Sequence, residues 1–157
     1  MGDSLKQAAL DTGPIIHLNQ INSLHLLEIF EEVLITETVL DELAEYKIPQ
    51  DLEEMNYQKK NADQNKYNLD PGESTALETA KKEEAIFITD DLEARQKSRE
   101  LGIETHGSIG IIAINQQKGK LTLEKAVEKM RQLQKESALF TTDQILEQAI
   151  RKLEERQ

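Results

Sequence analysis

The chain has 157 residues, no cysteine and a formal net charge of −11. This length suits a single domain. The absence of cysteine excludes a disulfide framework, thiolate zinc sites and a thiol nucleophile, and it is what we expect of a cytoplasmic protein. No apolar run approaches the roughly 18 residues that cross a bilayer, so we expect no membrane partner.

The negative charge is unevenly distributed along the chain. Residues 118–157 carry nine Lys or Arg and seven Asp or Glu, whereas residues 1–117 carry ten basic and twenty-three acidic side chains. Such acidity excludes a generic phosphate-coating nucleic-acid binder, because those proteins gain affinity by neutralising backbone phosphates. Most of the acids are expected to be solvated, so the question is which few are not.

Short apolar runs alternate with helical patterns through the first two thirds of the chain. The predicted elements in chain order are a strand ending near Asp11, a helix over 13–20, a helix capped by Ser23 and running through Phe30, a strand over 33–36, a helix from Thr36 to about Tyr46, a polar loop over 57–68, a helix from Glu73 to about Glu84, a strand over 85–89, a helix from Leu92 to Gly102, a strand over 103–106 and a helix over 108–117. This alternation predicts an α/β fold with a parallel central sheet flanked by helices.

Residues 122–157 break the alternation. Apolar residues recur there at helical spacing in two segments, separated by the capping residues Thr141, Thr142 and Asp143. We therefore predict a domain over residues 1–120 and a C-terminal helical hairpin over residues 121–157 that packs on the same domain.

Two acids stand where a predicted strand ends. Asp11 follows the first strand and Asp90 follows the strand over 85–89. In a parallel α/β sheet, ligands bind beyond the carboxyl ends of the strands. An acid at this position can also be only a helix cap, which the helix dipole favours.

Helical spacing singles out two further acids. Glu73 lies on the apolar face of its helix, where an unpaired carboxylate is costly unless it is paired or binds a metal. Glu42 borders the apolar arc of its helix, while its neighbour Asp41 falls on the opposite side. We expect Glu42 to face a cleft and Asp41 to face solvent.

Several carboxylates together favour a hard cation such as Mg²⁺ or Mn²⁺. Zinc is a poor fit, because the chain lacks cysteine and its three histidines are scattered. His17, on a helix beside Ile16, is expected to be packed or exposed rather than a ligand, and the same holds for His25 and His106. Carboxylate-held divalent ions support phosphodiester hydrolysis, because they neutralise phosphate and lower the pKa of bound water.

Four ordered motifs resemble those of PIN domains, in the branch of predicted nucleic-acid-binding PIN proteins related to VapC-type toxins. The motifs are Asp11-Thr12-Gly13-Pro14-Ile15-Ile16, Thr38-Val39-Leu40-Asp41-Glu42-Leu43, Leu69-Asp70-Pro71-Gly72-Glu73-Ser74 and Thr89-Asp90-Asp91-Leu92-Glu93-Ala94-Arg95. The segments Leu101-Gly102-Ile103 and Gly107-Ser108-Ile109-Gly110 are also similar to that branch, and the resemblance covers about residues 6–120.

The resemblance implies a metal-dependent endoribonuclease that cleaves single-stranded RNA with Mg²⁺ or Mn²⁺ and leaves 5′-phosphate and 3′-hydroxyl ends. It also implies a homodimer, and it makes the toxin of a toxin–antitoxin pair, with a small antitoxin protein as partner, a candidate role. By position in the motifs, the catalytic and metal-binding acids are Asp11, Glu42, Glu73 and Asp90, the fifth metal ligand is Asp91, and the supporting residues are Thr12, Thr89 and Arg95. Many toxin relatives have the third acid as Asp further into its helix, whereas this chain has Glu73.

Basic residues suggest where RNA binds. Lys59, Lys60 and Lys66 lie in the polar loop beside two tyrosines, which is a common arrangement for single-strand binding. Arg95 could reach the bound phosphate, or it could pair with Asp91 or Glu42 and organise the site. The hairpin is the next candidate surface. The alternative function is a catalytically idle PIN-like module that binds nucleic acid or protein.

Overall fold

The computed structural model describes residues 6–46, 48 and 51–157, and its centre is a five-stranded sheet. The strands are β1 (Ala8–Leu10), β2 (Val33–Thr36), β3 (Gln58–Lys60), β4 (Ile86–Ile88) and β5 (Thr105–His106). All neighbouring strands are parallel, in the order β3-β2-β1-β4-β5. The predicted α/β class, with a parallel sheet flanked by helices, is confirmed.

Eight α-helices accompany the sheet within the described part of the chain. They are α1 (Thr12–Gln20), α2 (Glu37–Glu45), α3 (Asp51–Glu54), α4 (Pro71–Glu83), α5 (Leu92–Glu100), α6 (Ser108–Gln117), α7 (Leu123–Glu136) and α8 (Asp143–Glu155). None of the helices in these residues is both long and apolar enough to cross a membrane.

Side chains alternate between two apolar layers along the central strands, as the two-residue period of a strand requires. In β4, Ile86 and Ile88 join the larger core cluster while Phe87 joins the smaller one. The smaller cluster includes Ala76 and Leu77 of α4, and α4 also packs on β1, β2 and β4. The sheet is therefore buried on both faces, which explains why its strands are short continuous apolar runs.

Two predictions in the first half of the chain were wrong in detail. Residues 57–68 were expected to form only a loop, but Gln58–Lys60 form β3 at the sheet edge, parallel to β2. The strand is polar and mostly exposed, and a polar edge strand has no apolar alternation to reveal it. Leu24–Ile29 form a 3-10 helix, and the Ser23 side chain does not cap it because its hydroxyl donates to the carbonyl of Ile21.

The predicted C-terminal hairpin consists of α7 and α8. Met130 and Leu133 of α7 and Ile150 and Leu153 of α8 are almost fully buried and belong to the same core cluster as the strand residues. Helix α7 packs on α6 and α1 as well as on α8. The hairpin therefore shares one hydrophobic core with the sheet. A domain division at residue 120 stays a prediction.

Candidate metal and nucleic-acid site

The predicted site lies at the carboxyl ends of the two central strands β1 and β4. Asp11 directly follows β1, and its backbone N–H donates to the carbonyl of Ile88 at 2.9 Å. Asp90 and Asp91 follow β4 after one residue, Thr89. The chain leaves β1 toward β2 on one side, and β4 lies on the other side, so these acids occupy the crevice where the strand order reverses.

A cavity of about 820 Å³ opens over this edge of the sheet. Of the described residues that line it, eight are acids, one is His17 and none is Lys or Arg. The eight acids are Asp11, Glu42, Glu45, Asp70, Glu73, Asp90, Asp91 and Glu93. The cavity wall is thus strongly negative and has only one basic side chain among these residues.

Asp11 is the most buried of these carboxylates, with 5% of its surface exposed. It accepts hydrogen bonds from the backbone N–H of Thr12 at 2.7 Å and from Thr89 Oγ1 at 2.8 Å. Burial raises the pKa of Asp11 to about 6, although both hydrogen bonds oppose the rise, and the charges of Glu42 and Asp91 add to it. Asp11 is held firmly in a place that disfavours its charge.

Glu42 reaches the cavity from α2, whereas Asp41 beside it is exposed. This is the orientation that helical spacing predicts. Thr12 Oγ1 donates to Glu42 Oε1 at 2.5 Å. The carboxylate lies against the first turn of α4, where a Cβ on Gly72 would come within 2.3 Å of Oε1. Glycine at position 72 therefore makes room for Glu42 beside the positive end of that helix.

Glu73 stands in the first turn of α4 and also lines the cavity. Its carboxylate accepts a hydrogen bond from the backbone N–H of Asp70 at 3.3 Å. Burial raises the pKa of Glu73 to about 8, and the charges of Asp11, Asp91 and Asp70 add to the rise. Glu73 therefore helps to cap α4, and its carboxylate interacts with the charges of the neighbouring site acids.

Asp90 is held by more donors than the other site acids. It accepts hydrogen bonds from His17 Nδ1 at 2.7 Å, from the Ser108 backbone N–H at 2.7 Å and from Ser108 Oγ at 2.6 Å, and Arg95 Nη2 lies 3.8 Å away. Burial would raise the pKa of Asp90, but the hydrogen bonds from His17 and Ser108 outweigh it and lower the pKa below its usual value. Asp90 is thus an ionised anchor that ties β4 to α1 and α6.

Arg95 pairs with Asp90 rather than with Asp91 or Glu42, the two partners considered from sequence. Its Nε also donates to the carbonyl of Thr89 at 3.1 Å. A Cβ on Gly107 would collide with the Arg95 guanidinium at 1.7 Å, so glycine at that position admits the arginine. Arg95 therefore organises the turn after β4 and does not line the cavity.

Asp91 caps α5 by accepting from the backbone N–H of Ala94 at 2.9 Å. Its own backbone N–H donates to Thr89 Oγ1 at 3.1 Å, and the same hydroxyl donates to Asp11. Thr89 therefore links the acids that follow β1 and β4. Both Asp11 and Glu73 are affected by the charge of Asp91, so these three carboxylates and Glu42 act as one electrostatic group.

The donor set of this group suits a hard divalent cation. Carboxylate oxygens, together with carbonyl and water oxygens, are the ligands that Mg²⁺ and Mn²⁺ prefer. Burial is the main cause of the raised pKa values of Asp11 and Glu73, and the neighbouring negative charges, which a cation would neutralise, add to it. Within the described residues, no three carboxylates or imidazoles are close enough to hold one ion together as they stand. The carboxylates would have to move inward to share a cation.

The three lysines predicted to bind RNA lie away from the cavity and are paired with acids. Lys59 lies 3.4 Å from Glu37, and Lys60 lies 3.7 Å from Glu83. Lys66 donates to Glu78 at 3.0 Å, and Glu78 is almost fully buried. None of the three lines the cavity. Lys66 therefore has a structural role, whatever its part in binding.

Sequence reasoning missed several residues at this site. His17 was expected to be packed or exposed, yet it lines the cavity and holds Asp90 across 73 positions of sequence. Ser108 holds Asp90 from α6, although its motif carried no role. Ala138, Leu139 and Phe140, in the turn between α7 and α8, also line the cavity. No local pattern in the sequence indicates these positions, because they depend on contacts between residues that are far apart along the chain.

The comparisons with known proteins agree with this architecture. A family model described as DUF3368, PIN domain, matches residues 7–155 and so includes both hairpin helices. No curated protein matches the chain. The structure is similar to that of a PilT N-terminus domain protein from the hyperthermophilic archaeon Sulfolobus solfataricus, with a TM-score of 0.53 and 17% sequence identity over 69% of this chain and 92% of that chain.

The five-stranded parallel sheet flanked by helices places the chain among α/β proteins with a PIN-like fold. The chain belongs to the PIN-domain family, since the family model covers nearly all of it. The resemblance predicted from the four motifs is therefore confirmed. PIN domains are generally nucleases, and they typically use divalent metal ions.

Proposed function

We propose that the protein is an endoribonuclease that cleaves single-stranded RNA and requires Mg²⁺ or Mn²⁺. The observation that carries the proposal is the group of four carboxylates, from Asp11, Glu42, Glu73 and Asp91, around one cavity whose described lining has no Lys or Arg. Such a group is costly unless a cation joins it. Membership of the PIN-domain family supports the same class of reaction.

These four carboxylates would hold the ion, with Thr12 and Thr89 fixing their positions through hydrogen bonds. A divalent ion held there would neutralise the phosphate and lower the pKa of the attacking water. The expected products carry 5′-phosphate and 3′-hydroxyl ends. Asp90 is also proposed to belong to the site, with His17, Ser108 and Arg95 keeping its carboxylate in place.

Four parts of this proposal rest on the family resemblance alone. They are the preference for RNA, the 5′-phosphate and 3′-hydroxyl ends of the products, the homodimer, and the role as a toxin with a small antitoxin partner. Sedimentation of the purified protein tests the homodimer, and co-purification with the product of a neighbouring small gene tests the antitoxin.

The experiment that tests the reaction is a cleavage assay on mixed single-stranded RNAs with Mn²⁺, Mg²⁺ or EDTA. We expect cleavage with either metal and none with EDTA, and end-group analysis should find 5′-phosphates. Activity that persists in EDTA would refute the metal requirement. The variants Glu42→Gln and Asp41→Asn provide the matched pair, because only the first alters a carboxylate of the cavity.

The second candidate is an idle PIN-like module that binds without cleaving. The separation of the carboxylates, which do not form a ready three-ligand metal site among the described residues, is the observation in its favour. Calorimetric titration with Mn²⁺ separates the two candidates. An active site should bind Mn²⁺ and lose that binding in Glu42→Gln, whereas an idle site should release no heat in either protein.

A further inference from the structure

Exposed apolar side chains are concentrated at the rim of the acidic cavity. Among the described residues, four large hydrophobic side chains are exposed: Tyr46 at 60%, Leu92 at 78%, Phe140 at 87% and Ile145 at 53%. The first three line the cavity and Ile145 does not. Single exposed apolar residues are ordinary on a protein surface, but their concentration at one charged cavity indicates a binding function.

Two of these side chains are tied in sequence to site acids. Tyr46 lies at the end of α2, four residues and about one helical turn after Glu42. Leu92 directly follows Asp91 at the start of α5. The rim is therefore positioned by the same helices that position the carboxylates.

Phe140 comes from the turn between α7 and α8, and that turn is anchored on both sides of it. The backbone N–H of Ala138 donates to Gln20 Oε1 of α1 at 2.6 Å. The backbone N–H of Leu139 donates to Ser137 Oγ at 3.1 Å, and the carbonyl of Thr141 accepts from Gln134. Leu139 also packs against the main core. The backbone is held in place while the ring of Phe140 remains in solvent, so a ligand would meet a largely preorganised surface.

We propose that Phe140 and Tyr46 stack on unpaired bases next to the phosphate held at the carboxylate site, with Leu92 as an apolar contact between base and acids. The inference rests on the proposed function, since the RNA phosphate must lie over the acids. Every base has a π-face, so stacking on aromatic rings binds single strands without reading their sequence. Bases stacked inside a duplex cannot offer that face. The rim therefore selects single-stranded over double-stranded RNA.

Stacking also accounts for how an acidic protein holds RNA. The described residues of the cavity include no Lys or Arg that could track the phosphates, and Lys59, Lys60 and Lys66 are paired elsewhere. An uncharged aromatic contact contributes affinity without phosphate neutralisation. The part of the affinity that the rim supplies should accordingly depend little on salt.

The chain has no tryptophan, which provides a direct probe. Phe140→Trp places one indole at the rim, and Ile145→Trp places one at an exposed position outside the cavity. A short single-stranded RNA, mixed with each protein in Mn²⁺ and recorded before turnover, should quench the first emission and leave the second unchanged. Double-stranded RNA of the same sequence should quench neither.

Cleavage kinetics give the second measurement. Phe140→Ala and Tyr46→Ala should each lower kcat/KM on single-stranded RNA by roughly 5- to 100-fold, the range for loss of one base–aromatic stack. Phe140→Leu keeps apolar area but lacks a ring, so it should be impaired, whereas Phe140→Trp should stay active. Ile145→Ala should leave kcat/KM nearly unchanged, because Ile145 is exposed but does not line the cavity. Melting temperatures confirm that each variant is folded.

The outcomes separate this inference from the proposed function. If the unmodified protein cleaves RNA but Phe140→Trp is not quenched and Phe140→Ala cleaves normally, the stacking rim is refuted and the nuclease remains. If no RNA is cleaved but quenching is specific to Phe140→Trp, the stacking rim stands and the nuclease fails. A third outcome is that the emission of Phe140→Trp shifts to the blue when the protein concentration is raised without RNA, while sedimentation shows dimers at the same concentrations. In that case a second copy of the chain covers the rim, and the inference is wrong.

Discussion

Replacing Asp11 with asparagine should stabilise the metal-free protein. The side chain is buried, and its pKa is raised to about 6 from an ordinary value of 3.8. Asparagine has the same shape, its carbonyl can accept from the Thr12 N–H, and its amide can donate to Thr89 Oγ1. The substitution therefore removes a disfavoured charge and keeps one hydrogen bond with each neighbour, although the bond with Thr89 reverses its direction.

The size of this effect follows from the pKa shift. A rise of about two pKa units corresponds to about 3 kcal/mol of folding free energy at neutral pH, at about 1.4 kcal/mol per unit. In a protein of this size, 1 kcal/mol moves the melting temperature by about 2–4 °C. The metal-free variant should therefore melt roughly 6–12 °C higher than the unmodified protein at pH 7.5.

The sign of the pH dependence is fixed by the same shift. Between the unfolded pKa near 4 and the folded pKa near 6, the unfolded state releases its proton first, and the unmodified protein loses stability as pH rises. Below pH 4 both states hold the proton and the advantage of Asp11→Asn should vanish. Mn²⁺ should raise the melting temperature of the unmodified protein at pH 7.5 by mass action, and the variant should respond less.

The assay is thermal unfolding in EDTA at pH 7.5 and pH 4, and in Mn²⁺ at pH 7.5. Asp41→Asn is the matched control, because it makes the same chemical change on an exposed carboxylate and should shift nothing. The reasoning is refuted if Asp11→Asn lowers the metal-free melting temperature at pH 7.5, or if its gain is as large at pH 4. A melting temperature of the unmodified protein that ignores Mn²⁺ would favour the idle module.

Three further predictions concern the same acids and the distant lysines. Glu42→Gln should lower RNA cleavage by roughly a hundredfold or more while Asp41→Asn leaves it nearly unchanged, since only Glu42 lines the cavity; equal losses of rate would contradict this. In EDTA the unmodified protein should melt at a lower temperature at pH 8.5 than at pH 5. The pKa values of Asp11 and Glu73 are raised to about 6 and about 8 in the folded state, so these groups ionise at lower pH in the unfolded state, and raising the pH favours unfolding. A melting temperature that rises from pH 5 to pH 8.5 would count against the raised pKa values. Replacing Lys59, Lys60 and Lys66 together by alanine should weaken RNA binding and flatten its salt dependence without changing metal affinity; an unaltered salt slope would exclude these lysines from the binding surface. Lys66→Ala alone should lower stability by at most about 1 kcal/mol, because Lys66 is partly exposed and Glu78 keeps its hydrogen bond from Tyr67.

The fold was predictable because the sheet leaves a strong local signal. Strands β2 and β4 are buried on both faces and therefore read as continuous apolar runs, which the sequence displays over 33–36 and 85–89. The acids that follow such runs must lie at the carboxyl edge of a parallel sheet. Strand β3 leaves no such signal, because its exposed lysines lie at the sheet edge and bury little.

The candidate site was predictable where a residue's own helix determined its direction. Glu42 and Asp41 differ in exposure because they are 100° apart on α2, and helical spacing alone distinguishes them. The partners of Asp90 could not be found this way. His17 of α1 and Ser108 of α6 lie 73 and 18 positions away in sequence, and they meet Asp90 only in the folded chain.

The hairpin is where local reasoning was least informative, and its contribution to the site follows from packing. The apolar spacing over 122–157 predicts that one face of α7 and one face of α8 are buried. It does not predict which end of the sheet the turn between them reaches. Two contacts fix that position: Lys129 donates to Ser23 Oγ at 2.7 Å, and Ala138 donates to Gln20. Gln20 is the last residue of α1, and Ser23 lies in the loop that follows it. Because Asp11 caps the start of α1, the turn that carries Phe140 is held to the segment that begins at this site acid. Ala138, Leu139 and Phe140 of that turn line the cavity. Phe140 is the large exposed side chain among them, so we expect its substitution to weaken RNA binding with little change in melting temperature.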